Sequence, residues 1–170
     1  MSESGSQRTL IELLYGKGAH ANPIAAVQGI PAQLAGREVE GYPHSICQMV
    51  GHMNYWMDYE LRRISGHAAH YPTHALESWP SPSAVLNESE WKQVIAHFIA
   101  SLDQLSALAK ADSAFLNREV KPNHTVHNQP LYSVLDLLWQ TAVHNSYHVG
   151  QIVLLRRMLN HWPAEAGDTW

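Results

Sequence analysis

Apolar residues recur every three to four positions in three long stretches of the chain, the spacing that gives an α-helix one buried face. The first runs from about Ser45 to Ile64, where Ile46, Met49, Val50, Met53, Trp56, Met57, Leu61 and Ile64 share a broad face. Ser45 with Gln48 has the form of a capping box at its start, and Gly66 suits its end. The second runs from about Glu88 to Ala111, with Trp91, Val94, Ile95, Phe98, Leu102, Leu105 and Leu108 tracing a bundle seam behind an Asn87–Glu90 start signal. The third runs from about Ser133 to Leu159 through Val134, Leu138, Ile152 and Leu155, and stops short of Pro163.

The first forty residues are less regular. Thr9 to Tyr15 suits a short helix that Gly16 and Gly18 end. Asn22-Pro23 has the form of an N-cap and first helical residue, opening a helix over Ile24–Ile30 that Pro31 interrupts. This reads as the fourth and shortest bundle helix. Gly66 to Pro82 and Lys121 to Pro130 read as connections, and Arg118–Val120 adds at most a short extended stretch, with no pattern that predicts a sheet. The expectation is an all-α four-helix bundle, one domain over residues 1–170, with 1–20 as an N-terminal extension holding a short helix.

Composition narrows the function classes. A 170-residue chain, 45 % apolar and 15 % charged, is long enough to bury a real core as one domain. The net charge is −4 and Lys and Arg form no stripe, so nucleic-acid binding lacks its electrostatic footprint. No uncharged run reaches the ~20 residues of a membrane span. The polar, acidic Met-Ser-Glu-Ser-Gly start lacks a secretory pattern. Cys47 stands alone, which excludes an internal disulfide and fits a reducing cytoplasm. Twelve histidines against eleven Lys plus Arg direct attention to metal chemistry.

His144 and His148 are four residues apart, so on one helix they are offset by only ~40° and one turn. Both lie near the direction of Leu137, Thr141 and Leu155, on the inner shoulder of their helix. His52 has the same inward placement in the first long helix, flanked by Met49, Trp56, Tyr55 and Tyr59. An unpaired polar group at each such position costs ~1–3 kcal/mol, which a shared metal ion removes. Three neutral imidazoles leave an ion open to water, the catalytic rather than the closed structural pattern. Asn145 follows the first histidine and cannot act as the base of a His-Glu-x-x-His peptidase. Spacing alone does not bring the two helices together, and two ordinary histidines are the commoner reading of an isolated His-x-x-x-His.

The stretch His144-Asn-Ser-Tyr-His148-Val-Gly-Gln-Ile-Val-Leu-Leu-Arg-Arg resembles the last bundle helix of the DinB/YfiT-like superfamily, which is distinct from the DNA polymerase of similar name. His44-Ser-Ile-Cys-Gln-Met-Val-Gly-His52-Met-Asn-Tyr-Trp56 is similar to that family's second helix, and Trp79-Pro80 before the Trp91 helix to its third segment. The resemblance covers roughly Asn22 to Pro163. It implies a four-helix bundle with one divalent ion (zinc, nickel or iron) on His52, His144 and His148, and a homodimer. It also implies a small-molecule substrate, with thiol S-transferases on bacterial low-molecular-weight thiols and a maleylpyruvate isomerase among characterised branches. Many relatives carry an acid where this chain has Asn145, so that role is unfilled or reassigned here.

Other residues are weaker candidates. Gln151, one turn past His148, is placed to orient a ligand or a water. Tyr55 and Tyr59 are placed to offer hydroxyls, and His44 to approach the pocket mouth. His67, His70 and His74 fall in one loop and His124 and His127 in another, where solvated side chains are the commoner outcome. Cys47 points ~140° away from His52 on a helix. Arg156 and Arg157 suit the C-terminal carbonyls of their own helix. The resulting expectation is a metal-dependent enzyme of hydrolase or thiol S-transferase type. Its rival is a non-catalytic metal or small-molecule binding module, such as a stress-response accessory.

Overall fold

The computed structural model describes residues 5–81, 87–122 and 130–163. Helix α1 spans Gly5–Leu14, α2 Pro23–Val27, α3 Ala32–Ala35, α4 Ile46–Ile64, α5 Glu88–Ala109, α6 Ser113–Leu116 and α7 Val134–Met158. The long helices begin where side chains satisfy their first free N–H groups. Ser45 and Gln48 form the expected capping box on α4, Asn87 and Glu90 another on α5, and Ser133 and Asp136 a third on α7. Gly66, at φ +78°, follows the end of α4.

α4 packs against α5 and α7, and α1 packs against α5 and α7 in turn, so four helices close a ring. Met53, Met57, Phe98, Leu102, Leu137 and Leu138 fill it and are fully buried. The all-α bundle expected from the periodicity is thus present, but its fourth member is not the one expected. The Ile24–Ile30 stretch is helical only as far as Val27, because Gln28 turns extended and Gly29 takes φ +72°. The fourth place belongs to α1, whose Leu10 and Leu14 are buried in the core. The Gln7 side-chain amide donates to the carbonyls of Ala109 and Ala111, capping the end of α5. After α1 the chain folds back so tightly that a Cβ on Gly16 would lie 2.6 Å from the carbonyl oxygens of His20 and Ala21.

Arg156 departs from expectation as well. It does not serve the end of its own helix in water; it is 1 % exposed. Its Nη1 donates to the carbonyls of Ala25, Ala26 and Gln28 at 2.9, 2.9 and 3.1 Å, and its Nε to that of His161 at 3.0 Å. One buried cation therefore satisfies the C-terminal carbonyls of α2 and fastens it to α7. The extended stretch near Arg118 also does more than expected. Glu119–Val120 pairs antiparallel with Tyr132–Ser133, a two-residue ladder too short for alternation to reveal. No helix among the described residues is long and apolar enough to cross a membrane.

Arg156→Ala should lower the free energy of unfolding by about 3 kcal/mol, because it leaves several buried carbonyls without a donor. Arg157→Ala, at an exposed position, should stay within about 0.5 kcal/mol. Urea denaturation followed by far-UV circular dichroism separates the two, and equal losses would contradict the clamp.

Candidate metal centre

The packing of α4 on α7 sets His52, in the middle of α4, opposite His144 and His148 on consecutive turns of α7. One ring nitrogen from each lies within 4.8 Å of the others. The ring centroids are 4.6 to 5.1 Å apart. His52 and His148 are buried and His144 is half-buried.

The tautomers follow from the neighbours. Nδ1 of His52 lies 3.2 Å from the Ser78 carbonyl and 3.1 Å from Ser78 Oγ, whose hydroxyl donates to the Ala75 carbonyl. Both oxygens can only accept there, so Nδ1 carries the proton and Nε2 presents its lone pair. Nδ1 of His148 likewise donates to Oε1 of Gln151 at 2.8 Å, freeing its Nε2. Nδ1 of His144 is buried and makes no well-aligned hydrogen bond among the described residues. Nε2 of His52 and Nε2 of His144 face each other at 3.2 Å. Two imidazole nitrogens bound to one tetrahedral ion at ~2.0–2.1 Å stand about 3.3 Å apart. The residues present therefore fit a divalent ion, and the group contains no carboxylate.

Electrostatics keep all three rings available as ligands. Burial, with His148 nearby, pushes His52 down to about 4, and the same two causes bring His144 to about 4. Burial lowers His148 too, against the pull of Gln151. Metal binding needs neutral imidazoles, and these are neutral at pH 7 without any metal.

A short segment after α4 completes the surroundings. A 3-10 turn at Ala75–Ser78 leads into Trp79, whose indole is stacked between His52 at 3.8 Å and His44 at 3.6 Å. The segment is held by Gln48, whose side-chain amide donates to the Pro80 carbonyl at 3.0 Å. Gly51 lets it approach, since a Cβ there would lie 2.4 Å from Pro80 Cγ. Ser78, Trp79 and Gly51 were not picked out as site residues from the sequence. The available signal was a glycine inside a strongly helical stretch, one residue before a candidate ligand.

The remaining candidates are placed as follows. Gln151 accepts from Nδ1 of His148. His44 lies beyond the indole of Trp79 from His52 and is pushed down by burial. The Tyr55 hydroxyl donates to the His70 carbonyl at 3.2 Å. Tyr59 is 4 % exposed, with its ring against Trp56 and Tyr71. Asn145 is buried, its Nδ2 directed at Met57 Sδ, and stands outside the ligand group. Tyr147, absent from the sequence candidates, sets its ring edge-on to His148 at 4.9 Å and is 64 % exposed. His67 pairs with Ser65 and His70 with Glu77, and neither they nor His74 joins the three ligands. His97, exposed on α5, bridges to Asp58 of α4. His161 lies against Arg156. Cys47 is buried in the core. His124 and His127 lie outside the described residues.

A family model described as the DinB superfamily matches residues 18–152, a span that includes all three histidines. No curated protein matches the chain.

Two expectations follow. The unfolded chain protonates these histidines near 6.5, whereas folding holds His52 and His144 neutral to about 4. The unfolded state therefore binds more protons below 6.5, and the metal-free protein should lose stability as pH falls from 6.5 towards 4. Burial raises Glu60 to about 7, and the proton it takes up on folding opposes this fall over the same range. The difference between the parent protein and His144→Gln therefore carries the test: between about pH 6.5 and 5 the melting temperature of His144→Gln should fall less steeply. Identical pH profiles for the two would contradict the buried neutral cluster. Gly51→Ala should displace the Pro80 segment, weakening metal affinity by about 10- to 100-fold through the lost support of His52. Chelator competition measures this, and unchanged affinity would remove the segment from the site.

Proposed function

We propose that this chain, which belongs to the DinB superfamily, is a metal-dependent enzyme that transfers a low-molecular-weight thiol to an electrophilic carbon. What carries the reading is a converging three-histidine group without a carboxylate. A divalent ion held there, zinc, nickel or iron by ligand type, supplies Lewis acidity to a thiol or water beside it.

The absence of a base in the group favours the thiol over hydrolysis. A thiol has a pKa of about 8.5 and needs only a small downward shift to ionise at neutral pH. Water, at about 15.7, needs a far larger one and gains more from a general base. In transfer, the sulfur forms its bond to carbon while the leaving group departs with its electron pair, and the thiol proton goes to solvent.

The chain's own residues hold and shape the site. Ser78 fixes the ring of His52, and Gln151 that of His148. Trp79 covers one face of the His52 ring, and Trp56 stands edge-on to His52 and His144. Tyr147 stands at the open edge beside His148, placed to meet whatever enters.

Purified protein should carry close to one equivalent of a divalent metal by elemental analysis, and His148→Ala should lose it with its far-UV spectrum intact. The loaded protein should then consume a cysteine-type thiol in the presence of an alkyl or aryl halide, and the stripped protein should not. Stoichiometric metal in His148→Ala would remove that residue from the ligand set. Metal without turnover would favour the non-catalytic binding module.

A further inference from the structure

Arg63 ends the face of α4 that carries His52, since positions 52, 56, 59 and 63 are spaced four, three and four residues apart. Its side chain is 5 % exposed. Nη1 donates to both oxygens of Glu60 at 3.0 and 3.2 Å, and the guanidinium carbon lies 5.4 Å from the centre of the Tyr59 ring. Nε and Nη2 are buried and make no well-aligned hydrogen bond among the described residues. These two atoms form one edge of the guanidinium, and their parallel N–H groups are the fork that takes two oxygens of a carboxylate or phosphate. The end of α4 does not use this edge. Arg118 serves it instead, its Nη2 donating to the Ile64 carbonyl at 2.7 Å.

Arg63 lines a cavity of about 560 Å³ between the end of α4, the 66–69 segment and Glu119–Val120. That volume suits an organic anion rather than a bare ion. Arg118 and Lys121 stand on its walls, both exposed. Neither is paired with a carboxylate among the described residues. Among those residues Glu119 is the one carboxylate on the lining, against three cations. Glu60 offsets Arg63 only in part, because burial pushes it up to about 7 despite the guanidinium beside it. The cavity thus joins net positive charge to two buried donors that the fold leaves unused.

We propose that this cavity is a second ligand site, which takes the carboxylate or phosphate group of a small organic anion. Nε and Nη2 of Arg63 hold two of its oxygens side by side, and Arg118 and Lys121 neutralise the charge from the walls. The site lies ~16 Å along α4 from His52. Between them stand Trp56 and Tyr59, with Tyr71 packed edge-on against both. The anion site is therefore separate from the metal centre, and it stands whatever chemistry that centre performs.

Isothermal titration calorimetry of the full chain tests this, with inorganic phosphate and succinate as probes at fixed ionic strength. One equivalent of at least one probe should bind with a Kd of about 1 mM or tighter. Tighter phosphate binding assigns the natural ligand to the phosphate esters, and tighter succinate binding assigns it to the carboxylates. Arg63→Lys keeps the charge and removes the fork, so affinity should fall at least about tenfold. Lys121→Gln, at an exposed position, should cost about threefold and does not depend on Arg63→Lys folding. His148→Ala, which loses the metal, should bind the probes as the parent does. Binding of both probes weaker than about 1 mM overturns the proposal. So does unchanged affinity in Lys121→Gln or in folded Arg63→Lys, or binding that disappears with the metal in His148→Ala.

Discussion

Three imidazoles buried between two packed helices impose the constraint on which this site depends. Each brings two nitrogens into a contact where polarity must be satisfied. The chain supplies acceptors for the Nδ1 atoms of His52 and His148. What remains are ring nitrogens turned towards one another, with Nε2 of His52 and Nε2 of His144 at 3.2 Å. Desolvation keeps the rings neutral, so protonation does not relieve the arrangement at physiological pH. A shared cation is the simplest group that satisfies all three lone pairs together.

The bundle serves this centre by making α4 and α7 neighbours and holding both in register. α1 closes the ring against α5 and α7, and Arg156 ties the short α2 to the back of α7 through the carbonyls of Ala25, Ala26 and Gln28. The Ser78–Pro80 segment adds the chemical half of the support. It reaches α4 because Gly51 has no side chain, and it brings to His52 both an acceptor and an aromatic face. The ligand set is thus fixed by two rigid helices and tuned by one loop that crosses between them.

Much of this was legible in the sequence. Long amphipathic runs with Ser45/Gln48 and Asn87/Glu90 at their starts located α4 and α5 within a residue or two, because caps and periodicity are local properties. The inward placement of His52, His144 and His148 was readable from helical phase, whereas their meeting rested on resemblance, since phase says nothing about which helices touch. The failures are tertiary in origin. Residues 1–20 looked peripheral, yet Leu10 and Leu14 are core, and only packing decides between two short helices for the fourth place. Arg156 and Arg157 are indistinguishable as letters, and one is buried against another helix while its neighbour faces outward. Ser78 and Trp79 lie in a segment without periodicity, so only the fold shows that they face His52.

X-ray absorption at the K edge of the bound metal tests the central claim most directly. The account predicts three imidazole nitrogens at about 2.0–2.1 Å, with their outer-ring scattering, and the remaining positions filled by light oxygen-type scatterers. A first shell made of oxygen alone, or one with a single imidazole, would contradict it.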